Sequence, residues 1–203
     1  DGGHVTSQLT EHVDVLPTVA SALGLPVPPL CPHNSSNVTL CTEGIDALSL
    51  MQKPDAALRK AVFTQWPHPF SQQPAAMGYS IRTATFRYTE WVLMTYPGGL
   101  PVPDWGQICA RELYAHAVDP GETRNVAENP AYAESLQLLQ TRLHAGWRVA
   151  LGPSPWPSNL PDVPQSNRSL SARRSTYRDE SYSCMAQPHA MHDDQQGQVR
   201  STA

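Results

Sequence analysis

Apolar and polar positions alternate between Met77 and Thr83, with Met77, Tyr79, Ile81 and Thr83 on one side and Gly78, Ser80 and Arg82 on the other. Successive side chains of an extended backbone point to opposite faces, so this period of two predicts a strand in a half-covered sheet. A tight connection at Ala84-Thr85 leads into a second alternating run from Phe86 to Thr95, and the two predict a β-hairpin. "AVFTQW" (61–66) is rich in β-branched and aromatic residues and predicts another strand, ended by Pro67 and Pro69. "ELYAHA" (112–117) predicts a fourth, short strand after a loop rich in Gly and Pro.

The period then changes. Asn129 and Pro130 suit the N-cap and first position of a helix whose Tyr132, Leu136, Leu139, Leu143 and Trp147 share one stripe. An amphipathic helix after antiparallel strands covers one face of their sheet, which predicts an α+β layer of about four antiparallel strands with a packed C-terminal helix. In that arrangement Tyr79 and Ile81 lie beneath Leu136, Leu139 and Leu143, and Arg82 and Arg87 occupy the other face.

Nearer the start, "EHVDVLPTVASALGLPVPP" predicts a short helix from about Pro17 to Gly24, with Asp14 as its cap. Pro26, Pro28, Pro29 and Pro32 then deny the backbone a ladder and predict a surface connection. "DPGETRN" predicts a turn in which Pro120 presets φ, Gly121 takes a positive value and Asp119 caps its own backbone. Beyond Leu151 the periodicity disappears among prolines, Ser, Arg, Gln and Asp, so residues 152–203 are expected to be a disordered tail. The resulting division is a strand-and-helix segment at 1–30, a cysteine loop and linker at 31–59, an α+β subdomain at 60–151, and the tail.

Composition narrows the function. The 203 residues carry a net charge of −4 without clustered Lys and Arg, which disfavours nucleic acid. No apolar run approaches the roughly 20 residues that span a bilayer, so no membrane attachment is expected. The chain starts at Asp1 without an initiating Met and reads as a fragment or a processed piece. Cys31 and Cys41 bracket a loop holding the sequons Asn34-Ser35-Ser36 and Asn37-Val38-Thr39, and Asn167-Arg168-Ser169 is a third. A disulfide and exposed glycans point to a secreted or lysosomal protein. The competing readings are two unpaired thiols with chance sequons, and a zinc site using His33.

Several stretches together resemble the C-terminal part of sulfatases: "VDVLPTVASALGLPVPPLC" with the step to Cys41, "FTQWPHP", "MGYSIRTATFRYTEWV" and "ELYAHAVDPGETRNV", covering roughly residues 11 to 150. The resemblance is closest to the branch acting on 2-sulfated uronate units of heparan or dermatan sulfate. It implies that residues 1–30 end a catalytic domain and that 60–151 form its smaller C-terminal subdomain. It also implies sulfate-ester hydrolysis by a formylglycine, made from a cysteine in a Cys-x-Pro-x-Arg setting, beside a calcium ion held by acidic and amide or imidazole side chains. The cysteine contexts here are "CPHNS", "CTEGI", "CARE" and "CMAQ", and none fits. "DGGH" has the wrong order for the family's metal motif. The chemistry is therefore expected in a catalytic domain outside this sequence, with no calcium ligands here and no hydrolysis by this chain alone.

The resemblance also implies that the loop before the "MGYSIRT" strand contributes to the wall of the pocket for a sulfated glycosaminoglycan. In "PHPFSQQPAA" only His68 offers a charged contact, and Arg82 on the following strand is the second candidate. Trp66 and Trp91 are expected to pack rather than to stack on sugar. The alternative function is a non-catalytic secreted module binding sulfated glycans or a protein partner through the uncovered sheet face.

Overall fold

A computed structural model describes residues 3–32, 38–56, 58–68 and 76–148. Helices α1 (Val15–Ala22) and α2 (Leu48–Gln52) precede strands β1 (Ala61–Pro67), β2 (Ala76–Thr83), β3 (Phe86–Thr95) and β4 (Val102–Ala115), and helix α3 (Ala133–Ala145) closes the fold. The strands form one antiparallel sheet in chain order. This is the α+β class that the periodicity predicts.

Alternation along β2 and β3 decides what the sheet buries. Ile81, Phe86, Tyr88 and Leu113 lie beneath Tyr132, Leu139 and Leu143, with Tyr79, Phe63 and Leu136 packed around them. Phe86 and Tyr132 meet edge to face, centroids 6.3 Å apart. Full burial of each such side chain contributes about 1.5–3 kcal/mol, so this layer is the main source of stability. At the start of the helical segment the Asn129 side chain accepts from the amide of Ala131 at 3.1 Å, and one 3-10 turn, Pro130–Tyr132, leads into α3.

The fourth strand is longer than its sequence suggests. β4 begins at Val102, ten residues before "ELYAHA", and ends at Ala115, leaving His116 and Ala117 outside. Pro103 and Gly106 break the local strand signal, yet the register against β3 slips between Trp91 and Val92 and again between Val92 and Met94. Bulges of this kind absorb residues that a regular ladder rejects.

The N-terminal helix also starts earlier. A 3-10 turn, His12–Asp14, runs straight into α1, and Asp14 makes no side-chain cap. Gly24 ends the helix at φ 66°, with Leu25 N–H bonded to the Ala20 carbonyl (2.9 Å) and Gly24 N–H to that of Ser21 (3.0 Å), the paired C-terminal bonds of a Schellman motif. Pro17 and Ala20 are buried, while Val15, Leu16, Val19 and Leu23 face outward. The apolar stripe that marks this helix is therefore mostly uncovered here.

In the "DPGETRN" turn the positive φ falls on Glu122 (53°) rather than on Gly121. Asp119 caps as expected: Oδ1 accepts from Thr123 N at 3.0 Å and Oδ2 from Arg124 N at 2.9 Å. Cys31 and Cys41 form a disulfide with Cα atoms 4.9 Å apart, and a parallel bridge between Leu30 and Thr42 runs beside it. Cys31 and Cys41 are thus neither free thiols nor zinc ligands. Asn34, Asn37, Asn167 and the tail at 152–203 lie outside the described residues. Among the described residues no helix is long and apolar enough to cross a membrane.

Candidate functional site

Three polar constellations are candidates for function, and the first joins the N-terminal segment to the sheet. Arg59, whose side chain is 3% exposed, lies within 2.9 Å of Glu11 Oε2 and is paired with both oxygens of Asp14. Asp14 also accepts the backbone amides of Glu11 (2.8 Å) and Ile45 (2.7 Å). Burial pushes the Asp14 carboxyl up, but the hydrogen bonds from Arg59 and the two amides outweigh it and hold the group below its ordinary value. Glu11 Oε1 accepts the Phe63 amide at 2.6 Å, so one carboxylate satisfies an outward N–H of the edge strand β1. These groups are saturated by their neighbours, which makes this constellation a structural clamp.

The second lies beneath α3. Glu90 stands on β3 two residues after Tyr88 and is wholly buried on the core face. Its carboxylate accepts from Tyr88 Oη (2.5 Å) and Gln140 Nε2 (2.8 Å), meets His144 Nε2 at 2.6 Å, and has Arg111 Nε at 3.4 Å. Burial alone raises its pKa; the bonds from Tyr88, His144 and Gln140 more than reverse this and hold it low. The Tyr88 hydroxyl is pushed far up, by burial first and then by the Glu90 charge, so it stays a donor. Trp105 covers this polar end of the core, 4.9 Å from the Tyr79 ring and 4.7 Å from that of His144.

The third is the sheet face turned away from α3. The register sets its side chains in rows across the strands: Trp66, Gly78, Trp91; then Thr64, Ser80, Thr89, Glu112; then Val62, Arg82, Arg87, Tyr114. The first two rows and part of the third line a depression of about 240 Å³. On its floor Thr89 Oγ1 donates to Ser80 Oγ at 3.0 Å. Trp91 Nε1 donates to Glu112 Oε1 at 3.0 Å, and the Tyr114 hydroxyl to Glu112 Oε2 at 3.3 Å. At one end Glu122 lies 3.0 Å from Arg87 Nε and 2.7 Å from His116 Nε2. The contact to Arg87 is ionic and lacks the alignment of a hydrogen bond; His116 Nδ1 is buried without a partner among the described residues.

His68 and Arg82 are not brought together. The His68 ring meets Trp91 edge-on, centroids 6.1 Å apart, at the Trp66 end of the face. Arg82 is exposed in the Arg87 row, four residues along β2 from Gly78, or about 13 Å. Arg87 pairs with Glu122, not with Glu90 or Glu112. Trp66 corrects another expectation. It is 72% exposed, because β1 is an edge strand and its indole has neighbours on one side only. Glu90 escaped notice as a buried residue although the alternation that seats Tyr88 and Val92 in the core places it there too.

Among the described residues no group of three or more His, Cys, Asp or Glu side chains is placed to hold a metal ion. None of the three constellations sets a nucleophile against a base, and what they offer is binding and positioning.

No family model matches the chain. It is 34% identical over 160 residues to iduronate 2-sulfatase of Mus musculus, spanning 69% of this chain and 29% of that enzyme. The corresponding human enzyme is 32% identical over 157 residues, spanning 68% and 28%. The chain thus spans under a third of the length of these curated relatives. Solved structures with a related course include a Bacteroides thetaiotaomicron protein assigned as a sulfatase, at TM-score 0.45 and 22% identity over 65% of this chain and 23% of that one. Another is a protein in complex with its substrate D-glucosamine-2-N,6-O-disulfate, at TM-score 0.45 and 18% identity over 72% of this chain and 25% of that one. Identity of 32–34% to two iduronate 2-sulfatases over about 68% of this chain places it in the sulfatase family and fits the C-terminal part of such an enzyme.

Proposed function

We propose that this chain is the C-terminal portion of a sulfatase that hydrolyses 2-sulfate esters of uronate residues in heparan or dermatan sulfate, and that it acts when joined to a catalytic domain. The nucleophile and a calcium ion belong to that domain, because no cysteine here is followed by Pro-x-Arg. What this chain supplies is an α+β lobe, with His68 as its contribution to one side of the substrate pocket. A lysosomal or secreted setting fits the disulfide and the identity to iduronate 2-sulfatases.

One observation carries the reading. Val15, Leu16, Val19, Leu23 and Leu25 are each about half exposed or more, on a helix and cap clamped to the sheet by Arg59. An ordered helix that leaves its apolar stripe in water calls for a surface to cover it, and the matched stretch is only 29% of the mouse relative, most of which has no counterpart in this chain. The catalytic domain is the occupant that this face fits.

The test is hydrolysis of a fluorogenic α-iduronide 2-sulfate by two proteins: the 203-residue chain, and the same chain extended upstream to include a Cys-x-Pro-x-Arg segment. Activity confined to the longer protein supports the proposal. Turnover by the short chain, or a longer protein that cleaves glucosamine 6-sulfate in preference, would contradict it.

A further inference from the structure

Arg82 and Arg87 stand directly opposite one another on β2 and β3, on the sheet face turned away from α3. Opposed residues of an antiparallel pair hold their Cβ atoms about 5 Å apart, and like charges in that position destabilise the sheet. A carboxylate for each cation would relieve this, and here the relief is half supplied. Glu122 Oε1 lies 3.0 Å from Arg87 Nε without the alignment of a hydrogen bond, and the same oxygen meets His116 Nε2 at 2.7 Å. Arg82 is exposed and, among the described residues, has neither a hydrogen bond nor an ion pair. The Asp119 oxygens, on the turn that carries Glu122, are taken by the amides of Thr123 and Arg124. Two guanidinium groups thus share one carboxylate.

The groups beside the pair are hydrogen-bond donors. Arg87 lines the depression of about 240 Å³ together with Thr64, Ser80 and Thr89. It makes no hydrogen bond among the described residues, so its Nη pair remains a fork of donors. Thr64 and Ser80 face one another in the row next to Arg82, and Ser80 Oγ, which accepts from Thr89, keeps its own hydrogen to donate. Glu112 is the acid of that row, but it stands two strands and two residues from Arg82, about 12 Å by strand geometry and beyond a Debye length of about 8 Å. Planar N–H forks beside hydroxyl donors, with more cation than anion, form the donor set that recognises an oxyanion.

We infer that Arg82 and Arg87 form a binding site for a sulfate group carried on a glycan chain, separate from the pocket in which the ester is cleaved. A sulfate seated between the two guanidinium groups supplies the negative charge that the opposed pair lacks, and the Ser80 and Thr64 hydroxyls border it. Arg82 lies toward the opposite end of this face from His68, so the sulfate held there is a different one from that undergoing hydrolysis. The choice of a sulfated glycan as ligand rests on the proposed function, whereas the cation pair is a property of the sheet register.

Isothermal titration of the full 203-residue chain at low salt tests this with three probes: a heparin tetrasaccharide, the same tetrasaccharide desulfated, and inorganic sulfate. Saturable binding is expected for the heparin fragment, weakening as salt is raised, and the other two should bind at least about tenfold more weakly. Arg82→Gln and Arg87→Gln should each weaken heparin binding about fivefold, the order expected for one exposed ion pair. Arg82→Glu should abolish it. That reversal separates binding from folding, because a glutamate opposite Arg87 completes the cross-strand pair, and its unfolding temperature should equal or exceed that of the parent. None of these readings involves ester cleavage, so a failure here leaves the proposed reaction standing, and a failure of the hydrolysis test leaves this site to be judged by binding. The inference is overturned if the heparin fragment does not bind, if the desulfated probe or inorganic sulfate binds as tightly, or if Arg82→Glu either binds like the parent or unfolds at a lower temperature.

Discussion

Asp14 illustrates how one residue can look like a cap and act as a clamp. Its position before α1 suggests a bond to the helix amides, yet its oxygens turn to Arg59, Ile45 and Glu11. Replacing Arg59 with Met would leave Asp14 buried without its cation; loss of one partner of a buried pair costs about 3–5 kcal/mol, to be read from urea unfolding. Because the Asp14 pKa is lowered on folding, its stabilisation is complete above the ordinary value of 3.8 and disappears as pH falls through the lower folded value. Asp14→Asn should therefore be less stable than the parent at pH 7, with the gap closing below about pH 4. Glu90 follows the same sign, from an ordinary value of 4.5. Glu90→Gln should cost about 1–3 kcal/mol at neutral pH, since an amide N–H would then face the donors of Gln140 and His144. Thermal midpoints measured from pH 7 to pH 3 should show a shallower acid loss for Glu90→Gln than for the parent.

Among the elements, α3 is held by a few large side chains and the cysteine loop by one covalent bond. Leu139 is wholly buried between β-sheet and helix, so Leu139→Ala should destabilise by about 2–5 kcal/mol, with the cavity left against Ile81 and Tyr88 contributing part of the loss. The disulfide closes a short loop, and the double variant Cys31→Ser/Cys41→Ser should lower stability by about 2.7 kcal/mol in the chain-entropy account, measured by calorimetry. Gly44 shows why the loop is close to the helix: an added Cβ would lie 1.9 Å from the Val13 carbonyl oxygen. Element identity was legible wherever one period ran uninterrupted, as in β2, β3 and α3. The start of β4 was not, because a bulge lets Pro103 and Gly106 sit in a strand whose hydrogen bonds come from β3 and not from local preference.

At the scale of the whole molecule, the contrast among the described residues is between a sheet face covered by a helix and a helix left uncovered. α3 seals one side of the sheet; α1 presents leucines and valines outward. A triple variant, Leu16→Ser, Val19→Ser and Leu23→Ser, should reduce self-association of the isolated chain in sedimentation velocity while shifting its unfolding by no more than about 0.5 kcal/mol per site, as for surface changes generally. In the longer protein the same variant should lower the unfolding temperature, as the proposed docking of a catalytic domain on this face requires. His68 and Arg82, both legible as candidates, lie toward opposite ends of one face, and only packing could reveal that they do not form one site.

Periodicity alone determined that an amphipathic helix covers an antiparallel hairpin, because alternation and helical spacing are written residue by residue in the order of side chains. Turn chemistry at Asp119, Asn129 and Gly24 was equally local. Tertiary structure alone decided which charges meet: Arg59 finds Asp14 from 45 positions away and His144 finds Glu90 from 54. It also decided which indole stays in water, since exposure depends on whether a neighbouring strand follows β1, and nothing in the residues around Trp66 encodes that. Contacts between distant parts of a chain depend on the packed geometry of the whole, whereas local backbone preference depends on a few adjacent residues.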